Sequence, residues 1–191
     1  MKSILFNTAM VQAILEGRKT TTRRIIKNAE PFGKVLATPK GIFSKKGLAR
    51  HSPYHIGEIL YVRETWQEWT GGYAYKVRGD YPQSFIDKWR PSIHMPKEAA
   101  RIFLKVTNVK VERLQDIKFS DLRNEGILPD KEYEEFENAI EANLEVKFAT
   151  LWDSTVNKKD IDQYGFIANP WVWVIEFERI EKSEVENNEI L

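Results

Sequence analysis

The stretch Gly17-Arg18-Lys19-Thr20-Thr21-Thr22-Arg23-Arg24 decides how the chain is read. Just before it, Val11, Ile14 and Leu15 fall at i, i+3, i+4 spacing, which predicts a short helix with one apolar face. Asn7 or Thr8 can cap its first turn with a side-chain oxygen. Gly17 follows the last apolar position, where a helix commonly ends in a left-handed residue and glycine carries no Cβ penalty. The threonines that follow are β-branched and disfavour helix, so the stretch reads as an extended loop or strand.

Working outward, residues 30–57 contain EPFGK, TPKG, SKKG and HSPYHIG, which predict loop with one or two brief strands. Gly57 to Trp66 reads as a strand, and Tyr73 to Val77 as another after the Gly71-Gly72 turn. Residues 79–100 hold Pro82, Pro91 and Pro96 with little periodicity. They predict an irregular insertion lying over the surface, part of a longer insertion at about 67–100. Arg101 to Leu114 predicts a strand with a bulge or turn at Asn108. A short helix is expected at about 120–125, capped by Ser120 and stopped by Gly126. Tyr133, Phe136, Ile140, Leu144, Phe148 and Leu151 recur at three- and four-residue steps and predict a long amphipathic helix over 131–151. In the final strand Trp171, Trp173, Ile175 and Phe177 share one face, with Val172, Val174 and Glu176 on the other. The acidic tail, 182–191, is expected to be disordered. Together these elements predict one α+β domain over residues 1–181, built around a small barrel or curled sheet with flanking helices.

The sequence has 191 residues and no cysteine. That excludes disulfides, Cys-ligated zinc, Fe–S clusters and thiol nucleophiles, and it fits a reducing, cytoplasmic setting. No targeting segment or membrane-length apolar run is read from it. The formal net charge is +1, but this is a cancellation. Residues 1–110 carry 20 Lys+Arg against 8 Asp+Glu, and residues 111–191 carry 9 against 20. The halves therefore differ as +12 and −11, an asymmetry that suggests a basic face for a polyanion.

The opening stretch resembles the GxKxxTxR signature of the ASCH family, a branch of the PUA-like domains, with Lys19, Thr22 and Arg24 at its polar positions. Three further pieces resemble the family in order: Gly57 to Glu64 its central strand, Ser120 to Gly126 its short helix ending in Glu-Gly, and Trp171 to Phe177 its closing strand. The pattern looks most like the larger phage and prophage ASCH proteins. The resemblance implies a PUA-like pseudo-barrel with a cleft beside the signature. It also implies binding of RNA, a modified nucleobase or a nucleoside. One ASCH branch hydrolyses the acetyl amide of 4-acetylcytidine, and its Lys, Thr and Glu map onto Lys19, Thr22 and Glu125.

The residue types suit that chemistry. A threonine hydroxyl needs a neighbouring base to attack an amide. A desolvated lysine can serve as that base, and a carboxylate can orient it. Arg24 can stabilise an oxyanion. Alternatively, Lys19 pairs with Glu125 and Thr22 packs in a strand, as a purely structural knot.

For nucleic acid, Arg18, Arg23, Arg24, Lys45, Lys46 and Arg63 supply charge for phosphates, and Trp69 can stack on a base. Trp66, Trp171 and Trp173 are expected in the core, and Glu64 is expected to pair with Arg63 or Arg24, with a role as an alternative acid as the second reading. His51, His55 and His94 show no metal-binding spacing, so no metal or other cofactor is expected. The leading expectation is thus a binding module. The alternatives are an amidohydrolase or ribonuclease using the same cleft, and a phage accessory protein that meets a host protein through the 67–100 insertion.

Overall fold

A computed structural model describes residues 1–27, 29, 36–38, 41–43, 49–77, 86, 88–133 and 137–189. Its centre is a mixed five-stranded sheet in the order β1-β6-β9-β10-β2. These strands are β1 (Lys2–Leu5), β2 (Thr21–Ile25), β6 (Ile59–Arg63), β9 (Phe103–Arg113) and β10 (Trp171–Ile180). β1 runs parallel to β6, and the other three pairings are antiparallel.

The two edge strands, β1 and β2, are joined through α1 (Thr8–Leu15). Asn7 caps this helix by accepting from the Met10 amide at 2.9 Å, and Gly17 leaves it at φ +74°. Arg24 reaches across the remaining gap and donates to the Leu5 carbonyl at 2.9 Å. The sheet thus curls toward closure by a side chain rather than by a backbone ladder, giving an α+β pseudo-barrel.

β10 shows why the sequence alternates as it does. Trp173, Ile175 and Phe177 face the inner core with Ile4, Phe6, Val11, Leu60, Val62 and Leu104, while Val172 and Val174 face an outer core. That outer core is covered by α2 (Phe119–Asn124), α3 (Glu137–Thr155) and α4 (Ile161–Tyr164). A central strand buried on both faces gains about 1.5–3 kcal/mol per large apolar side chain relative to exposure. The register shifts opposite Glu176/Phe177, so that Thr107 is the extra residue of a β-bulge in β9. The bulge falls one residue from the expected Asn108.

Four local expectations need correction. Ser120 does not cap α2: Lys118 is the capping residue, without a side-chain bond, and Ser120 lies inside the first turn. The aromatic Phe119 packs into the outer core, which draws the chain into the helix early. α3 begins at Glu137, after a 3-10 turn at Lys131–Tyr133, and runs on to Thr155. Phe136, expected on its apolar face, lies outside the described residues. The tail holds α5 (Lys182–Glu189), whose Val185 is buried. Residues 92–100 are not simply draped over the surface. Met95, Ala99 and Ala100 pack with Trp66, Phe103, Ile180 and Val185 in a third core.

The segment between β2 and β6 forms three short strands, β3 (Leu36–Thr38), β4 (Gly41–Phe43) and β5 (Ala49–Arg50). β7 (Trp66–Trp69) and β8 (Gly72–Tyr75) make a hairpin. Among the described residues no helix is long and apolar enough to cross a membrane.

Candidate functional site

Pairing with β10 assigns the faces of β2. Thr22 and Arg24 lie opposite Ile175 and Trp173 and so face the inner side. Thr21, Arg23 and Ile25 lie opposite Glu176, Val174 and Val172 and face the helices. Lys19 forms an isolated bridge with Glu125, the residue that closes α2. Gly126 makes this approach possible. A Cβ there would stand 2.7 Å from the Ala13 Cβ and 2.9 Å from the Lys19 Cβ, and the residue sits at φ +84°. Both the space and the positive φ exclude larger residues.

The structure therefore brings Lys19 and Glu125 together in the interior. The Lys19 ammonium donates to Glu125 Oε2 at 2.6 Å, to the Thr21 carbonyl at 2.7 Å and to the Glu125 carbonyl at 3.0 Å. Burial lowers the Lys19 pKa, and the attraction of Glu125 opposes that shift. In its ammonium form Lys19 finds one acceptor for each of its three protons.

The other oxygen of Glu125 accepts from Arg23 Nη1 at 2.9 Å. Arg23 also donates to Glu112 Oε1 through Nε and Nη2, at 2.9 and 2.6 Å, and to Asp121 Oδ2 at 3.2 Å. Burial pulls the Arg23 pKa down, but Glu125 and Glu112 outweigh it and the net shift is upward. Arg23, expected at the nucleic-acid face, is 3% exposed and held by three carboxylates. It is unavailable to phosphate in this arrangement.

Thr22 and Arg24 are placed differently. Thr22 is 2% exposed, and among the described residues its hydroxyl has no hydrogen-bond partner. The Arg24 guanidinium stands 5.3 Å over the Phe6 ring, a cation–π distance. Burial lowers its pKa, against the opposing pull of Tyr54 and Glu125.

Both residues wall a narrow space of about 30 Å³ together with Met10, Arg23, Glu125 and the α3 side chains Phe148, Trp152 and Thr155. That volume admits one or two waters. Met10, Arg24 and Thr155 also wall a wider hollow of about 390 Å³ that reaches Asn7, Thr65 and Ser92. Met10, Glu125 and Leu151 are shared with a third hollow of about 330 Å³ that carries Arg18 and Lys147. The shared walls make one groove with a neck at Thr22. The neck is walled on one side by α3, which is anchored where Trp152 Nε1 donates to the Tyr164 carbonyl at 2.8 Å.

The remaining expected residues are spread out. Arg18 lies in the groove's third hollow but pairs with Glu16 and donates to the Gly126 carbonyl. Arg63 staples the Pro-rich segment by donating to the Met95 carbonyl at 2.9 Å and to the Ile93 carbonyl. Trp69 lies in the β7–β8 hairpin with its ring over Gly71, away from the groove. Glu64 pairs with Arg101 rather than with Arg63 or Arg24, through two bonds of 2.9 Å. Lys45 and Lys46 lie outside the described residues. Among the described residues no group of three or more His, Asp or Glu side chains is arranged to hold a metal.

Two features of the site escape sequence reasoning. Glu112 and Asp121 complete the shell around Arg23, but they lie 89 and 98 residues from it, with no local pattern to link them. The groove wall on α3 is legible only as an apolar stripe, which announces packing and not a cleft.

No family model matches the chain, and no curated protein matches it. Among solved structures, the chain is similar to protein EF3133 from Enterococcus faecalis V583, described with the family-model DUF984. The two are 11% identical, the match covers 97% of this chain and 82% of that one, and the TM-score is 0.48.

Proposed function

We propose that the chain is a binding module that takes an RNA base or a modified nucleoside into the wider hollow at Arg24, next to the narrow neck at Thr22. The carrying observation is the contrast in hydrogen-bond capacity. Lys19, Glu125 and Arg23 are engaged with one another and with nearby carbonyls and carboxylates, whereas among the described residues the Thr22 hydroxyl has no partner and Arg24 bonds one carbonyl and faces one ring. A hydroxyl and a guanidinium beside apolar walls suit a planar, polar-edged ligand. The resemblance of the signature stretch to ASCH domains supports the same ligand class.

The amidohydrolase reading is second. Its support is the contact of Lys19 with Glu125 next to the Thr22 strand. Against it, no hydrogen bond joins Thr22 to either residue among the described contacts, and the Lys19 Nζ is already engaged by Glu125 and two carbonyls.

Calorimetric titration with cytidine, 4-acetylcytidine and a short single-stranded RNA tests the proposal, with salt varied for the RNA. Saturable binding that weakens about tenfold in Thr22→Val and in Arg24→Ala is expected, as for loss of a directed hydrogen bond. Absence of binding by folded protein for all three ligands overturns it. Release of cytidine from 4-acetylcytidine, abolished in Thr22→Val, would put the amidohydrolase reading first.

A further inference from the structure

Sharing no lining residue with the groove, a fourth hollow of about 220 Å³ is built at the β9 bulge beside Thr21. Thr21, Thr107, Lys110, Asp121, Asn124 and Glu176 line it. The bulge matters because the extra residue is Thr107 itself, and bulges re-aim side chains next to functional surfaces.

Two observations mark this hollow as more than a charged surface. Thr21 is 5% exposed and points to the side of Glu176, its partner across the ladder. Its hydroxyl has no hydrogen-bond partner among the described residues, it is not sealed off, and Thr21 lines the hollow. A buried hydroxyl without a partner is costly unless something from solution completes it.

The second observation is the suspended ammonium of Lys110. It stands 3.8 Å from Glu112, 4.0 Å from Asp121 and 3.8 Å from Glu176. Each distance exceeds a direct hydrogen bond and suits a bridging oxygen.

The charges restrict the ligand. Three carboxylates against Lys110 and Arg23 repel an anion, and Lys110 already occupies the place of a cation. What the gaps can take is oxygen that accepts from the ammonium and donates to the carboxylates, which is a hydroxyl. Two adjacent hydroxyls would serve Lys110, Asp121 and Glu176 at once, with Thr21 completing the set. The volume lies below the roughly 300–1,000 Å³ of pockets for drug-sized ligands, so the ligand is a single small ring.

We infer that this hollow is a binding site for the vicinal diol of a furanoside-sized sugar ring, formed by Thr21, Lys110, Asp121 and Glu176. It stands apart from the groove at Thr22 and does not rest on the function proposed for that groove.

The test is a backbone-amide NMR titration of the full chain with methyl β-D-ribofuranoside and its 2-deoxy counterpart, which lacks the diol. The expected result is saturable shifts confined to the amides of Thr20, Thr21, Thr107, Lys110 and Asn124, with the deoxy sugar about tenfold weaker. Glu176→Gln and Lys110→Met alter half-exposed side chains. Each is expected to weaken the ribofuranoside about tenfold, with shifts elsewhere in the spectrum unchanged. Thr22→Val is expected to leave these shifts intact, which separates this site from the groove. Absence of saturable shifts, or equal response to the deoxy sugar, overturns the inference. So does tighter saturation of the same amides by ethylammonium chloride, which would make the hollow a cation site.

Discussion

Arg23 and Arg24 are neighbours of the same type on one strand, yet they live on opposite sides of β2 under different rules. Arg23 faces the helices and meets Glu112, Asp121 and Glu125. Arg24 faces the inner side and meets one carbonyl oxygen and the Phe6 ring. A buried cation must be compensated, and the helix side does so fully. The inner side compensates only in part, so it keeps capacity for something else. The difference teaches that a basic run in a sequence is not one surface: a strand divides it residue by residue into a structural half and an available half.

Removing the compensation is the strongest way to break this comparison. Glu125→Ala leaves Lys19 and Arg23 buried without their shared anion, and urea unfolding should show a loss of about 4 kcal/mol. Arg23→Met should cost about 3 kcal/mol by the same measurement, because Glu125, Glu112 and Asp121 then crowd together uncompensated. The same change at Arg24, Arg24→Met, keeps the apolar stem against Phe6 and should cost only about 1 kcal/mol, while weakening ligand binding about tenfold. Thr22→Val sharpens the contrast further. Its hydroxyl has no partner to lose, so the unfolding midpoint should stay within about 0.5 kcal/mol of the parent or rise.

The smallest effect lies outside β2, on a surface carboxylate. Asp130 accepts from Lys147 and Asn143, and these bonds hold its carboxyl below the ordinary value of 3.8. A carboxyl depressed on folding stabilises above its unfolded pKa and loses that contribution as pH falls through the folded one. Carbon-detected NMR should therefore place the Asp130 midpoint below 3.8, and Lys147→Met should move it upward.

Much of the fold was legible because its signals are local. The Asn7 cap, the Gly17 stop and the two-sided alternation of β10 each need only neighbouring residues, and the structure follows them. The bulge announced itself through broken alternation near Asn108. The misplaced pieces depend on distant contacts. α5 is polar over most of its length, and its one apolar residue, Val185, gives no periodicity to read. Ser120 has the chemistry of a cap, but packing of Phe119 moves the helix start past it.

The site divides in the same way. The closeness of Lys19 to Glu125 could be anticipated from the resemblance alone. Strand alternation also separates Arg23 from Arg24, but which face turns toward carboxylates is fixed by β10, nearly the whole chain away. The saturation of Lys19 depends on the Thr21 and Glu125 carbonyls, and backbone acceptors leave no mark on a sequence.

Among the described residues β2 has a single ladder partner, β10, and every residue of that partner lies at position 171 or beyond. A ribosome therefore releases the threonine-rich basic strand long before it supplies the strand that completes it. Lys19 waits 106 residues for its counter-ion. Until then both cations stay hydrated, and the barrel has no seam to close. The ordering of this molecule is thus weighted to its end: contacts of such long range assemble slowly, and a chain arrested before β10 would present an unpaired strand edge, the kind of surface that chaperones meet on incomplete domains.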